Sequence, residues 1–429
     1  MKRVAITTLG CKVNQFDSAV LMAACQQAGW AIVPFETVAD AYIVNTCTVT
    51  QSADAQSRHL LRRARRTNPE AMLIATGCYA QVAPDELATL EGVTHVIGTS
   101  HRQRVIDVLQ ECWQGHPKDE PSTHREIAAQ QHRVRPYLKI QDGCDLHCTY
   151  CIIPRARGHQ RSIPVQEVLA HLAAYADAGY EEVVLTGIHI GTYGRDLDPP
   201  TSFTGLLEQI VRVAPLRFVR ISSLDPHEVT PQMIDLLASS PRFAPHLHIA
   251  IQSGSDAVLR RMGRRYRRQT VERVLHDLAT AMPHVAIGTD LIVGFPGETE
   301  GDFAASCALI ADSPLTYAHV FPYSPRSGTP ATRLDTALPQ GVIAMRAEQL
   351  RRLAQRRRRD YYRAQIGRVT EAISERRRDR RTGKMRAMTP HYVPLLIESA
   401  RMGPGRRPEG YLPVRILDAT ADEVYATWI

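Results

Sequence analysis

The spacing of apolar and polar positions changes repeatedly along the chain. Over residues 1–112, short apolar runs (RVAITTL, AYIVNTC, AMLIATG, THVIGTS) alternate with stretches of helical spacing at 15–28, 51–66 and 101–112. Short apolar runs bounded by turn-forming residues read as buried strands, and their alternation with helices predicts a parallel sheet covered on both faces. Residues 113–134 lose the period and turn polar, which predicts a linker. From Arg135 the alternation resumes with PYLKIQD, EEVVLTG, RFVRISS, HLHIAIQ, VAIGTDLIVG and YAHVFPYS. Each is followed by a helical segment except the last, after which an extended stretch intervenes. Six such units predict a barrel or an open partial barrel. An Arg-rich helical stretch covers about 338–366, and the short pieces VTEAI, YVPLLIE, YLPVRIL and EVYATWI follow, broken by Gly and Pro. That tail predicts a small antiparallel β-barrel. The expected fold class is therefore α/β, with three domains and a linker: an α/β domain at 1–112, a linker at 113–134, a partial (β/α)6 barrel at 135–366 and a small β-barrel at 367–429.

Composition narrows the class. With 429 residues, 44% hydrophobic and 22% charged, the chain can bury a sizeable core without cross-links. It contains no apolar run long enough for a membrane span. The opening MKRVAITTLGCKVNQ has a basic head but no long apolar segment, so no signal peptide is expected. The 52 Lys+Arg against 44 Asp+Glu leave a net charge of +8, and the excess comes in runs. These are Arg62, Arg63, Arg65 and Arg66; RRMGRRYRR from Arg260; RRRR at 356–359; and RRRDRR at 376–381. One run is an ordinary solvated helix face, whereas four along one chain point to a polyanion, nucleic acid above all. Nine cysteines, an odd number without a secretory signal, suit a reducing cytoplasmic setting with metal-binding or catalytic thiols.

The strongest chemical signal is Cys144, Cys148 and Cys151 in QDGCDLHCTYCIIPRARG. Soft thiolates suit zinc or iron–sulfur clusters. A structural zinc site wants four ligands; His147 inside the loop is crowded between two ligand positions, and a zinc loop stays as the alternative. Three cysteines at this spacing otherwise leave one iron of a 4Fe–4S cluster free for a substrate or cofactor. Cys11, Cys47 and Cys78 each follow directly on a predicted strand (TTLGC, IVNTC, IATGC). Ligands of parallel α/β sheets bind at the carboxyl ends of strands, so these three would meet on one sheet edge as a second ligand set; three separate buried structural cysteines are the alternative. Cys25, Cys112 and Cys307 read as small core residues. Thr186, Gly187, Ser222, Gln252 and Asp290 stand at successive barrel strand ends, where a ligand would bind. Tyr150 is placed either to stack on an adenine or to pack over the cysteine loop. His159, His189, His227, His246 and His248 read as polar core or surface residues, not ligands.

TLGCKVNQFDS, NTCTVT, SADAQSR, RTNPEA and TGCYAQ resemble the N-terminal domain of the radical S-adenosylmethionine (SAM) methylthiotransferase family, and DGCDLHCTYCIIPRARG is similar to its radical SAM loop. GIHIGTYGRDL, HLHIAIQSGSDAVLRRM, GTDLIVGFPGETEGDF and HVFPYSPRSGTPA continue the likeness, and the piece from about Gly367 corresponds to the family's RNA-binding TRAM β-barrel. GCKVNQ and GIHIGTYGRDL most resemble the branch named MtaB, which acts on N6-threonylcarbamoyladenosine beside the tRNA anticodon. The resemblance implies two 4Fe–4S clusters, one on Cys144, Cys148 and Cys151 that binds SAM, and one on Cys11, Cys47 and Cys78 that presents sulfur. The adenine C2–H bond is strong and non-acidic, so a 5′-deoxyadenosyl radical would open it, with a second SAM methylating the sulfur. Tyr150, Thr186, Gly187, Ser222, Gln252 and Asp290 would contact SAM. Arg376, Arg377, Arg378, Arg380, Arg381 and Lys384 would grip the tRNA anticodon stem-loop. An electron donor and a sulfur source, both unidentified, would also be needed. Alternatives are a methylthiotransferase for isopentenyl-adenosine tRNA or for a ribosomal protein side chain, and a non-catalytic iron–sulfur RNA-binding regulator.

Overall fold

A computed structural model describes residues 1–113, 123–131, 133–334, 336–398 and 410–429. Part of the expected linker, 114–122, and the SARMGPGRRPE stretch at 399–409 lie outside the described residues.

The first 100 residues form a parallel sheet of β1 (Arg3–Thr8), β2 (Ala31–Val33), β3 (Ala41–Thr46), β4 (Met72–Gly77) and β5 (His95–Gly98) in the order β2-β1-β3-β4-β5. Successive side chains of a strand point to opposite faces. Val4, Ile43 and Ile74 accordingly pack under helices Lys12–Gln27 and Arg104–Trp113, with Leu21, Val105 and Leu109. Ala5, Tyr42, Val44 and Leu73 pack on the other face with Leu61 of helix Gln51–Thr67. Central β3 is buried at all six positions. Edge strand β2 escapes the sequence pattern because it is three residues long and only half-buried. Cys25 is fully buried as expected, but Cys112 is exposed and Cys307 only half-buried. Cys112 is corrected from core to surface because Val105, Ile106, Val108 and Leu109 form the buried face of its helix.

Within the linker span, helix His124–Ala129 carries a complete capping box between Thr123 and Glu126. It buries only Ile127 and Ala128, too few apolar positions to show a period in the sequence. Its Gln130 and Glu126 bond Gln26 and Gln27 of the first helix, at 2.6 and 2.7 Å.

The central part contains β6 (Tyr137–Lys139), a small antiparallel pair β7 (Gln141–Asp142) and β8 (Arg161–Ser162), then β9 (Glu182–Thr186), β10 (Phe218–Ile221), β11 (Ser223–Leu224), β12 (His246–Gln252), β13 (Ala286–Val293) and β14 (Tyr317–Pro322). Its sheets run β10-β9-β6 and β11-β12-β13-β14, all parallel. The third strand is interrupted at Ser222, which divides six strand positions into two sheets of one open partial barrel. Helix Gln340–Arg363 then leads to a closed five-stranded barrel of β15 (Val369–Arg378), β16 (Met385–Met388), β17 (Pro394–Ile397), β18 (Tyr411–Ala419) and β19 (Val424–Trp428). The basic run at 376–381 sits at the β15–β16 hairpin, whose turn is held by Asp379 accepting from Thr382 N at 2.8 Å. Among the described residues no helix is long and apolar enough to cross a membrane.

Candidate double-cysteine centre and adjoining cavity

Cys144, Cys148 and Cys151 leave the end of β7 in a loop fastened at several points. Gly143 has φ +71°, and a Cβ there would stand 1.9 Å from His159 O, so only glycine lets the two backbones meet. Cys144 N donates to Gly158 O at 3.1 Å, Thr149 N to Met262 O at 3.0 Å, and Ala331 N to Thr149 O at 2.8 Å. Cys148 is buried, while Cys144 and Cys151 are half-buried. Burial above all, with a smaller push from the neighbouring Cys148 and Cys144, raises the Cys151 thiol to about 12. Three crowded thiols on one short loop are a donor set suited to a metal centre.

Cationic side chains surround that loop. Arg264 Nη1 donates to Cys148 Sγ at 3.3 Å and Nε to Tyr266 OH at 2.9 Å; Nη2 is ion-paired with Asp225. His189 Nδ1 lies 3.8 Å from Cys144 Sγ, with Nε2 2.6 Å from Glu228 and 3.8 Å from Asp225. Burial opposes charge on His189, but Cys144, Glu228 and Asp225 outweigh it and hold the imidazolium up at about 10. Sequence reading set His189 aside and placed Arg264 in an ordinary basic run. The structure makes both neighbours of the cysteine loop, through contacts that carry no local sequence signal.

The second set converges as its strand-end placement requires. Cys11 precedes helix Lys12–Gln27, Cys47 follows β3 and Cys78 follows β4. A Cβ on Gly10, which has φ +88°, would stand 2.7 Å from Cys47 Sγ, so that glycine makes room for the thiol. Asn14 ties the loops together, donating to Leu9 O at 2.8 Å and Thr46 O at 3.0 Å, with its Oδ1 3.9 Å from Cys78 Sγ. Burial pushes Cys78 up to about 11 against the pull of Arg157, and Cys11 and Cys47 add to the rise. Cys47 is likewise raised, chiefly by burial.

Arg157 joins the two loops. It ends helix Ile153–Arg157, just past Cys151, and is 1% exposed. Nη1 reaches Asp142 at 2.9 Å and Asp17 at 3.2 Å, while Nη2 bonds Asn14. Asp17 also receives Lys139 at 2.6 Å and Arg102 at 2.9 Å. Burial raises both carboxyls, but Lys139 and the arginines around them overcome it and hold both below the usual carboxylate range. On the other side Arg326, past β14, reaches Thr48 and Asp54 at 2.6 Å each, beside Cys47. The strand ends of the two parallel sheets thus face one another.

The remaining candidates fall into two groups. Thr186 is 2% exposed and its carbonyl accepts Ile140 N at 2.8 Å. A Cβ on Gly187 would lie 2.6 Å from Ile190 Cγ2, so this glycine permits close packing. Ser222 N donates to Leu185 O at 3.1 Å at the strand break. Gln252 has φ +70° where the β12–β13 register shifts. Asp290 pairs with His248 Nε2 at 3.3 Å, His248 Nδ1 meets Ser223 Oγ at 2.9 Å, and His319 lies alongside. Tyr150 packs edge-on against Phe295 at 6.3 Å. Among the basic candidates, Arg376 and Arg377 line a cavity of about 520 Å³ shared by all three parts of the molecule. Arg381 pairs with Glu423, Lys384 with Glu398 at 2.9 Å, and Arg378 Nη1 donates to Gly383 O at 3.2 Å, while Arg380 is exposed. The cavity also takes in Lys12, Arg135, Arg220 and Arg386, which sequence reading did not single out. Burial first, then Arg220 and Arg135, push the Lys12 ammonium down to about 8.

Comparison with known proteins places this geometry. Residues 3–98 match "Uncharacterized protein family UPF0004" and residues 138–310 match "Radical SAM superfamily". The chain is 37% identical over 380 residues to the threonylcarbamoyladenosine tRNA methylthiotransferase MtaB of Aquifex aeolicus, covering 86% of this chain and 92% of that protein. It is 39% identical to the MtaB of Bacillus subtilis over 87% of this chain and 85% of that protein. It is also 35% identical to a tRNA-2-methylthio-N(6)-dimethylallyladenosine synthase of a Parafrankia species, over 91% of this chain and 83% of that protein. The fold is shared with the radical SAM methyltransferase TsrM of Kitasatospora setae, at TM-score 0.54 and 15% identity over 75% of each chain. With two cysteine sets on facing strand ends and relatives matched over most of its length, the chain belongs to the MtaB-like branch of the radical SAM methylthiotransferase family.

Proposed function

We propose that the enzyme converts N6-threonylcarbamoyladenosine beside the tRNA anticodon into its 2-methylthio derivative. Cys144, Cys148 and Cys151 hold one 4Fe–4S cluster with SAM, and Cys11, Cys47 and Cys78 hold the second. The carrying observation is the pair of crowded three-thiol sets joined through Arg157, in a chain similar to enzymes named for that nucleoside. Three thiolates with a guanidinium near each set fit a cluster that keeps one iron open. When bound, the clusters and SAM supply the one-electron and sulfur chemistry that a non-acidic C–H bond requires.

The chain's own residues position and shield. Arg264 and His189 offset thiolate charge at Cys148 and Cys144, and Asp225 and Glu228 fix their orientation. Gln141 Oε1 accepts Ile188 N at 3.0 Å and His189 N at 2.8 Å, setting the strand-end turn that carries the imidazole. Tyr150, Phe295, Val258 and Met262 form an apolar cover beside the loop that keeps water out. Arg376 and Arg377 on the C-terminal barrel give grip on the anticodon stem-loop by phosphate contact, which supplies affinity without sequence information. An electron donor and a sulfur source are required partners, and the unbridged thiols suit the cytoplasm.

The test is a mass-spectrometric nucleoside profile of tRNA from a host lacking its own methylthiotransferases, with and without this gene. The expected result is 2-methylthio-N6-threonylcarbamoyladenosine appearing at the expense of its precursor. A 2-methylthio isopentenyl nucleoside in its place would overturn the substrate assignment.

A further inference from the structure

The cavity between the three parts of the molecule is strongly cationic and incompletely neutralised. Among the described residues, Lys12, Arg133, Arg135, Arg220, Arg376, Arg377 and Arg386 line it with one carboxylate, Glu375. Arg135 and Arg386 share that carboxylate at 3.3 and 3.4 Å. Arg220, only 2% exposed, spends Nε on Glu182 at 2.6 Å and Nη1 on Pro390 O at 3.0 Å, and its buried Nη2 has no partner among the described residues. Among the described residues Lys12 makes no hydrogen bond or close ion pair, and Asp290 acts on it only at longer range. A buried guanidinium N–H left unpaired is costly, and an incoming anion would recover that cost.

Resting on the substrate reading above, we propose that Lys12, backed by Arg135 and Arg220, receives the carboxylate of the substrate's threonyl group, so that the cavity selects N6-substituents ending in an anion. Position supports this. Lys12 follows Cys11 directly, and on the adenine ring C2 and the C6 that bears N6 flank the same nitrogen, N1, so a group on N6 must lie near whatever delivers sulfur to C2. The cavity reaches from the C-terminal barrel to the buried guanidinium of Arg220 inside the central barrel. A pendant carboxylate can enter to that depth, whereas a backbone phosphate carries its ribose with it.

The experiment measures binding of three anticodon stem-loop hairpins to the full-length, cluster-reconstituted protein. One carries N6-threonylcarbamoyladenosine, one the same group as its carboxamide, and one plain adenosine. Wild type is expected to prefer the acid over the amide by at least about tenfold, the worth of one charge-assisted hydrogen bond. Lys12→Met should bring that preference within about twofold while leaving amide binding and iron content unchanged, and Lys12→Arg should restore it. Arg135→Gln, on a separate segment, should lower the preference with no effect on iron. Equal weakening of all three hairpins by Lys12→Met would assign the cavity to a backbone phosphate and overturn the proposal. An acid preference that survives in Lys12→Met would overturn it too. If the nucleoside profile shows the threonylcarbamoyl product, such a failure touches this inference alone; an isopentenyl product would remove its foundation as well.

Discussion

The two cysteine sets have different neighbours. Arg264 bonds Cys148 directly, and Asn14 stands between Cys78 and Arg157. Cys148→Ala should abolish formation of 5′-deoxyadenosine from SAM and lower iron from about eight to about four per chain. Cys47→Ala should leave SAM cleavage partly intact and stop sulfur insertion, with the same loss of about four irons. Anaerobic reconstitution followed by iron, sulfide and nucleoside analysis reads both variants. A wild type with only about four irons would return Cys11, Cys47 and Cys78 to a structural role. The six thiols were legible in sequence because strand–loop–helix punctuation fixes where each loop emerges. His189 and Arg264 were not, because the residues they touch, Cys144 and Cys148, lie 45 and 116 positions away.

Among the elements, the linker helix His124–Ala129 meets helices Lys12–Gln27 and Val165–Asp177 around a buried imidazole. His171 lies 3.6 Å centroid to centroid from His124, edge-on to Phe16 at 6.2 Å, and 3.9 Å from the half-exposed Glu167. Burial, then His124, push its pKa down to about 3. A folded pKa below the unfolded value near 6.5 means that this stability is fully present above pH 6.5 and is lost as pH falls toward 3. The thermal midpoint should therefore drop between pH 7 and pH 5, by about 1.4 kcal/mol of stability per pH unit below ~6.5. His171→Phe should flatten part of that decline. Composition marked this stretch as linker and missed the helix, since its stability comes from a capping box and from neighbours outside its own sequence.

For the molecule as a whole, polar contacts join the parts. Arg157 connects the N-terminal domain to the central barrel, and the Glu182–Arg220 pair with Tyr411 seats the C-terminal barrel. Removing one partner of a buried charge network is more costly than the network's net worth. Arg157→Met should thus destabilise by ~3–5 kcal/mol, read as a lower urea midpoint. Asp17 and Asp142 are held low, so their contribution is present above about pH 4 and is lost as pH falls below it. Acid unfolding should be shallower in Arg157→Met than in wild type. The Arg376→Ala, Arg377→Ala double variant should weaken stem-loop binding about equally for modified and unmodified hairpins. It should also reduce the slope of log affinity against log salt by about 1–2.

The sequence by itself determined the element order, the three-part architecture and which cysteines stand in loops at strand ends, because periodicity and turn residues act over a few positions. The tertiary structure alone decided what surrounds the thiols. Arg157 finds Asn14 across 143 residues and Arg326 finds Thr48 across 278. Lys12, Arg135 and Arg220 come from three segments that share no local pattern, and only packing of the domains gathers them into one cavity. Burial then gives each charge its consequence, since a cation that is ordinary on a solvated helix demands a partner once water is excluded.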